Sequence, residues 1–177
     1  MANNKKTKKI SFLFIIPTLN SYKKLPKLVN SLTKQIHKDW RCIFVDGNSN
    51  KKHKIWIKNL CDKDKRFIKI NEKSSKRGIY NAMNKGYEFA MDKEWIIFLG
   101  SDDWFSSKES LINLSYSICE NYNNEINLII SNTDFINHKN KKVTRSQKFK
   151  LSKLCNQKDF YYYLFFGNMP FHQSLCF

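Results

Sequence analysis

From Ile10 to Ile16 the chain is apolar at six of seven positions, mostly isoleucine and phenylalanine, and Pro17 closes the run. A stretch this short and this uniformly apolar fits a strand buried on both faces, the situation of a parallel sheet. Similar runs recur at Trp40 to Val45, Phe67 to Ile70 and Trp95 to Leu99, and Leu128 to Ile130 begins another. Between them the apolar residues change period. Leu25, Leu28, Val29, Leu32 and Ile36 recur at three- and four-residue spacing, the stripe of an amphipathic helix. Ile55, Trp56, Ile57 and Leu60 suggest a second helix, and Tyr80 to Met91 a third with a core-facing stripe at Tyr80, Met83, Tyr87 and Ala90. Leu111, Leu114 and Ile118 mark a fourth, with Ser107 as its expected N-cap. His138 to Lys142 reads as a hairpin-like turn before Val143. Strands alternating with helices predict an α/β domain built on a mostly parallel sheet.

At 177 residues the chain is long enough for one core, and 41% hydrophobic content argues against global disorder. No apolar run approaches the roughly 18 residues of a membrane span. The formal charge of +17 favours anionic partners, but the lysines are spread along the chain and not gathered into one stripe. A mild attraction to anionic membrane surfaces is therefore expected before a dedicated nucleic-acid face. Cys42, Cys61, Cys119, Cys155 and Cys176 have no metal-ligand or redox spacing and read as free thiols of a reducing cytoplasm. Lys5, Lys6, Lys8 and Lys9 before the first apolar run resemble a signal peptide's charged region, but no small-residue cleavage site follows. The expected location is cytoplasmic, at most peripheral at the inner face of the cell membrane.

In open α/β sheets ligands bind beyond the carboxyl ends of the strands. Four polar clusters fall there: Thr18 to Ser21, Asp46 to Asn50, Asn71 to Arg77 and Ser101 to Asp103. Two adjacent carboxylates, Asp102 and Asp103, end the strand FLGSDDWF. They repel unless a cation or strong hydrogen bonds intervene, so they suit a hard divalent ion shared with phosphates; on spacing alone, a cap for the next helix or a turn explains them somewhat better. Asp46 can accept hydrogen bonds from a nucleoside, although Asp-Gly is also a common turn. Neither a GxGxxG nor a P-loop is present, which disfavours dinucleotide oxidoreductases and P-loop NTPases. Arg77 and Gly78 open the third helix, where backbone N–H groups favour an anion.

Together, FIIPTLN, FVDGNSN, RGIYNAMNKG, FLGSDDWF, SNTDF and MPFHQSLCF resemble family 2 glycosyltransferases of the GT-A fold, in the branch that builds bacterial surface polysaccharides. The resemblance implies a Rossmann-like three-layer α/β/α sandwich over residues 10–177, preceded by a basic tail over residues 1–9. It implies inverting transfer of a hexose from a nucleotide-sugar donor, a UDP-sugar foremost, to a saccharide or lipid-linked acceptor hydroxyl, assisted by Mn²⁺ or Mg²⁺. Pro17, Thr18, Asn20, Asp46, Arg77 and Asp102 would bind the donor nucleotide, and Asp103 the metal.

The sequence departs from this pattern in two places. Asn81 stands where the relatives carry an acidic residue, and the family's usual base lies downstream of the HQ segment, whereas this chain ends at Phe177. The domain is therefore expected to be C-terminally incomplete. Asp134 and His172 are weak candidates for a general base, which the residues leave unassigned. Three other readings compete: a sugar nucleotidyltransferase, a nucleotide-sugar-binding protein without transfer activity, and a nucleic-acid module. The aromatic segment KDFYYYLFFGNMPF suits either core packing or contact with a lipid-linked acceptor.

Overall fold

The computed structural model describes residues 9–72, 78–121, 126–137, 142–143 and 172–177. Four parallel strands form the central sheet: β1 (Ser11–Thr18), β2 (Trp40–Asp46), β3 (Phe67–Asn71) and β4 (Glu94–Phe98), in the order β3-β2-β1-β4. β1, the most continuously apolar strand, takes a central place, as burial on both faces requires. Helices α1 (Leu25–Thr33), α2 (Lys51–Lys63), α3 (Ile79–Tyr87) and α4 (Ser110–Glu120) alternate with these strands.

Alternation along each strand sorts side chains into two cores. Phe12, Phe14, Ile16, Cys42, Phe44 and Phe67 pack with Leu25, Leu28 and Leu32 of α1, Ile57 of α2, and Leu111 and Ile118 of α4. Leu13, Ile15, Ile43, Val45 and Ile96 face the other way, against Ala82 of α3. The result is the expected three-layer α/β/α sandwich.

Beyond α4 come the short strands β5 (Ile129–Ile130), β6 (Phe135–Ile136), β7 (Lys142–Val143) and β8 (Leu175–Cys176). β6 and β7 pair antiparallel, as a hairpin demands, and the turn between them lies outside the described residues apart from Asn137. β8 pairs antiparallel with β5, and just past it Phe177 exchanges both backbone hydrogen bonds with Ile96 of β4. The C-terminal residues thus extend the sheet beyond β4. The KDFYYYLFFGNMPF segment and Cys155 fall outside the described residues.

Four local expectations are corrected. Ile36 lies past the end of α1 and is exposed. In α2 the buried residues are His53 and Ile57, while Ile55 points out. Tyr80 and Tyr87 of α3 are 79% and 54% exposed; Met83 faces the sheet as expected, but with Ala82 and Gly86 in place of the tyrosines. Small residues bring α3 close: a Cβ on Gly86 would stand 2.3 Å from a methyl of Ile15. Finally, α4 begins two residues later than Ser107 predicts, with Glu109 at its N-cap, and the Ser107 hydroxyl accepts the Glu109 N–H in the preceding turn.

Candidate active site

Register fixes the site. Thr18 lies opposite Asp46, and Asp46 opposite Asn71, so the last residues of β1, β2 and β3 stand in one row at the carboxyl edge. Backbone bonds lock the row, from Gly47 N–H to Thr18 C=O and from Glu72 N–H to Asp46 C=O. Asn20 and Asn48 adopt left-handed backbone angles, which asparagine tolerates better than most residues. The Asn20 N–H donates to the Ser49 hydroxyl at 2.8 Å, and the Asn20 carboxamide oxygen accepts the Asn50 N–H at 2.8 Å. The Asn50 side chain also N-caps α2 by accepting the His53 N–H. The first two loops are therefore one interlocked unit. Half-buried Pro17 lies beneath it, between buried Ile16 and buried Thr18.

Asp46 is fully buried. Its Oδ1 accepts the Ser49 N–H at 2.9 Å; its Oδ2 stands 3.4 Å from the Lys69 ammonium but has no hydrogen-bond partner among the described residues. Burial pushes its pKa up, yet the hydrogen bonds from Ser49, then Lys69 and His53, more than offset this and hold the carboxyl below the usual carboxylate value. Asp46 is an anion with one unsatisfied acceptor.

Behind it sits His53, also fully buried. The Thr18 hydroxyl donates to the Val45 carbonyl, so its oxygen accepts from His53 Nε2 at 3.3 Å. This network assigns the proton to Nε2 and leaves buried Nδ1 without a partner among the described residues. Burial depresses the imidazole below its ordinary 6.5, with Asp46 opposing and Lys69 adding to the shift. Neither His53 nor Lys69 stands out in the sequence, because both lie in a lysine-rich stretch. The available signal was position: His53 falls four residues before Ile57 on the inner face of α2, and Lys69 interrupts the apolar run of β3.

On the other side of β1, the Leu99 N–H continues the ladder by donating to Ile15 C=O, which carries Gly100 to Asp103 to the same edge. Asp103 folds back: its Oδ2 accepts the Gly100 N–H at 2.7 Å. A Cβ on Gly100 would lie 2.7 Å from that oxygen, so the turn is closed to larger residues unless the carboxylate moves. Asp102 is exposed and pairs with Lys24 at 2.9 Å, which ties the loop after β1 to the loop after β4. Three of the four expected clusters are thereby brought together, along with Asn71 and Glu72 of the remaining one. Glu72 accepts a hydrogen bond from the Asn81 carboxamide. Arg77 lies outside the described residues.

The base candidates lie on later segments of the chain. Asp134 is exposed between β5 and β6, and His172 opens a 3-10 turn, His172–Ser174, in which its side chain is outside the described part.

A family model, glycosyl transferase family 2, matches residues 13–174. The chain belongs to that family. Among curated relatives, PGL/p-HBAD biosynthesis glycosyltransferases of Mycobacterium tuberculosis and Mycobacterium bovis are 30% identical over 127 residues. The match takes in 70% of this chain and 49% of theirs, so the chain spans about half the length of these family 2 relatives. Among solved structures, Staphylococcus aureus TarS in complex with UDP-GlcNAc superposes with a TM-score of 0.57 at 26% identity, over 64% of this chain and 32% of that one. A mannosyltransferase from Pyrobaculum calidifontis, solved with GDP-Man and Mn²⁺, shares the fold with a TM-score of 0.55 at 16% identity, over 62% of this chain and 33% of that one. The GT-A fold of family 2 is thus the fold of this chain.

Proposed function

We propose that the chain forms the donor-binding half of a glycosyltransferase that takes a sugar from a nucleoside diphosphate to an acceptor hydroxyl with inversion. The observation that carries this reading is the row Asp46, Thr18, Asp102–Asp103 on one strand edge, with a buried anion at one end and paired carboxylates at the other. The unsatisfied Oδ2 of Asp46 suits an N–H donor of a nucleoside base once the loop above it yields. Pro17, Thr18 and Asn20 shape that pocket, and Asp102 suits a ribose hydroxyl or a metal-bound water. By the family resemblance of RGIYNAMNKG, Arg77 would sit near the donor and its phosphates. The 26% identity to TarS, which was solved with UDP-GlcNAc, supports a UDP-sugar as donor.

The donor set fits a hard divalent ion. Among the described residues no group of three or more His, Cys, Asp or Glu side chains could hold a metal unaided. Two adjacent carboxylates at an open edge instead leave coordination positions for substrate phosphates and water, the usual mode for Mg²⁺ and Mn²⁺. Asp103, oriented by the Gly100 N–H, would hold the ion, which when bound supplies positive charge to the departing nucleoside diphosphate. Lys24 would add a second cation beside Asp102. The general base has no assignment, since Asp134 and His172 rest on sequence position alone.

Calorimetric titration of UDP, UDP-sugars and GDP-sugars, with and without Mn²⁺, tests the reading. Metal-dependent donor binding is expected, and Asp103→Asn should weaken it by roughly tenfold or more without lowering the melting temperature. A folded protein that binds no nucleotide sugar with or without metal would overturn it.

A further inference from the structure

A second feature lies on the flank of α2, next to the strand edge, which it meets through Lys54 and Lys69. A groove of about 570 Å³ is lined by Lys51, Lys54, Ile55, Lys58 and Cys61 of α2 and by Lys69 of β3. Lys51 is in the first turn of α2 and Cys61 near its end, so the groove runs about 15 Å down the flank of the domain. Its lining carries four ammonium groups and no carboxylate. Lys54 donates to the Asn48 carboxamide and Lys69 faces Asp46, whereas Lys51 and Lys58 make no ion pair or hydrogen bond among the described residues. Between them Ile55 is 49% exposed, and burial raises the Cys61 thiol's pKa, which keeps it neutral.

Cations flanking an exposed branched apolar side chain on one helix face form an interfacial pattern, in which ammonium groups meet headgroup phosphates and the apolar residue enters the acyl boundary. Nucleic acid is less well matched, because the groove presents no arginine for base edges and no aromatic ring for stacking. The geometry points to this flank as a docking face for anionic phospholipid. The assignment does not rest on the donor site, and it names a surface where overall charge alone names none.

Sedimentation with phosphatidylcholine vesicles, with and without phosphatidylglycerol, tests it. The protein should bind only the anionic vesicles. The variant Lys51→Gln/Lys54→Gln/Lys58→Gln should lose roughly a hundredfold in affinity, at about fivefold per lysine near a charged surface. Ile55→Gln, which leaves the charge intact, should also weaken binding. Removing the same charge at exposed Lys23, Lys34 and Lys93 should cost far less. Apart from half-buried Lys54, which bonds Asn48, the changed side chains face solvent, and an unchanged melting temperature confirms folding. Equal losses in the two triple variants would overturn the assignment, as would anionic-vesicle binding that survives the groove variant. Tighter binding to duplex DNA than to the anionic vesicles, lost in the groove variant, would reassign the face to nucleic acid and equally overturn it.

Discussion

Asp46 and His53 show how much chemistry a few buried atoms can hold. His53 is kept neutral by its surroundings, so the unfolded chain binds more protons than the folded one below the ordinary histidine value of 6.5. Stability is therefore full above that pH and falls as the pH drops towards the depressed folded value. Asp46 is depressed from 3.8, so its contribution disappears only at still lower pH. Thermal melts across this range should show the first decline in the wild type and a flatter profile in His53→Gln; identical slopes would remove His53 from the account. Gly100 makes a separate prediction. Gly100→Ala should push the Asp103 carboxylate out of its turn, so metal-dependent donor affinity should fall several-fold in calorimetry with little change in melting temperature. Preserved metal dependence would show that the turn does not orient Asp103.

Among the elements, the strands were legible because a buried parallel strand can hardly be written without a continuous apolar run. Helix faces were less so. Tyr80, Met83 and Tyr87 share a periodic stripe, but periodicity marks a face without saying which way it turns. The sheet chose Ala82, Met83 and Gly86, because close approach rewards small side chains as well as large ones. Gly86→Ala should accordingly cost about 1–3 kcal/mol, despite the helix propensity that alanine adds, because its methyl would overlap Ile15 and press on Val45. Denaturant unfolding measures this, and a neutral or stabilising outcome would mean that α3 can shift outward freely. The Ser107 cap failed for a different reason: its hydroxyl was taken by a turn just before the helix, and a sequence pattern does not distinguish the two uses.

At the scale of the molecule, the candidate site was half visible. Asp46, Asp102 and Asp103 could be picked out because carboxylates at strand ends are conspicuous. Their supports could not. Lys24 reaches Asp102 across 78 positions of sequence, and Lys69 and His53 approach Asp46 from a strand and a helix that only the folded register brings together. The flank groove was invisible for a similar reason, since its lysines stand out from the many others only once Lys69 of β3 is laid beside α2.

The place of β1 between β2 and β4 also sets an order of assembly. Phe12 pairs with Trp40, 28 residues on, whereas Ser11 pairs with Glu94, 83 residues on. Closing the longer loop costs only about 1 kcal/mol more in chain entropy, but it requires distant segments to meet, which slows folding. On the ribosome, β1, β2 and β3 emerge well before β4. A chain of that length holds Thr18 and Asp46 but neither Asp102 nor Asp103, so the addition of β4 beside β1 brings the remaining carboxylates to the row of site residues.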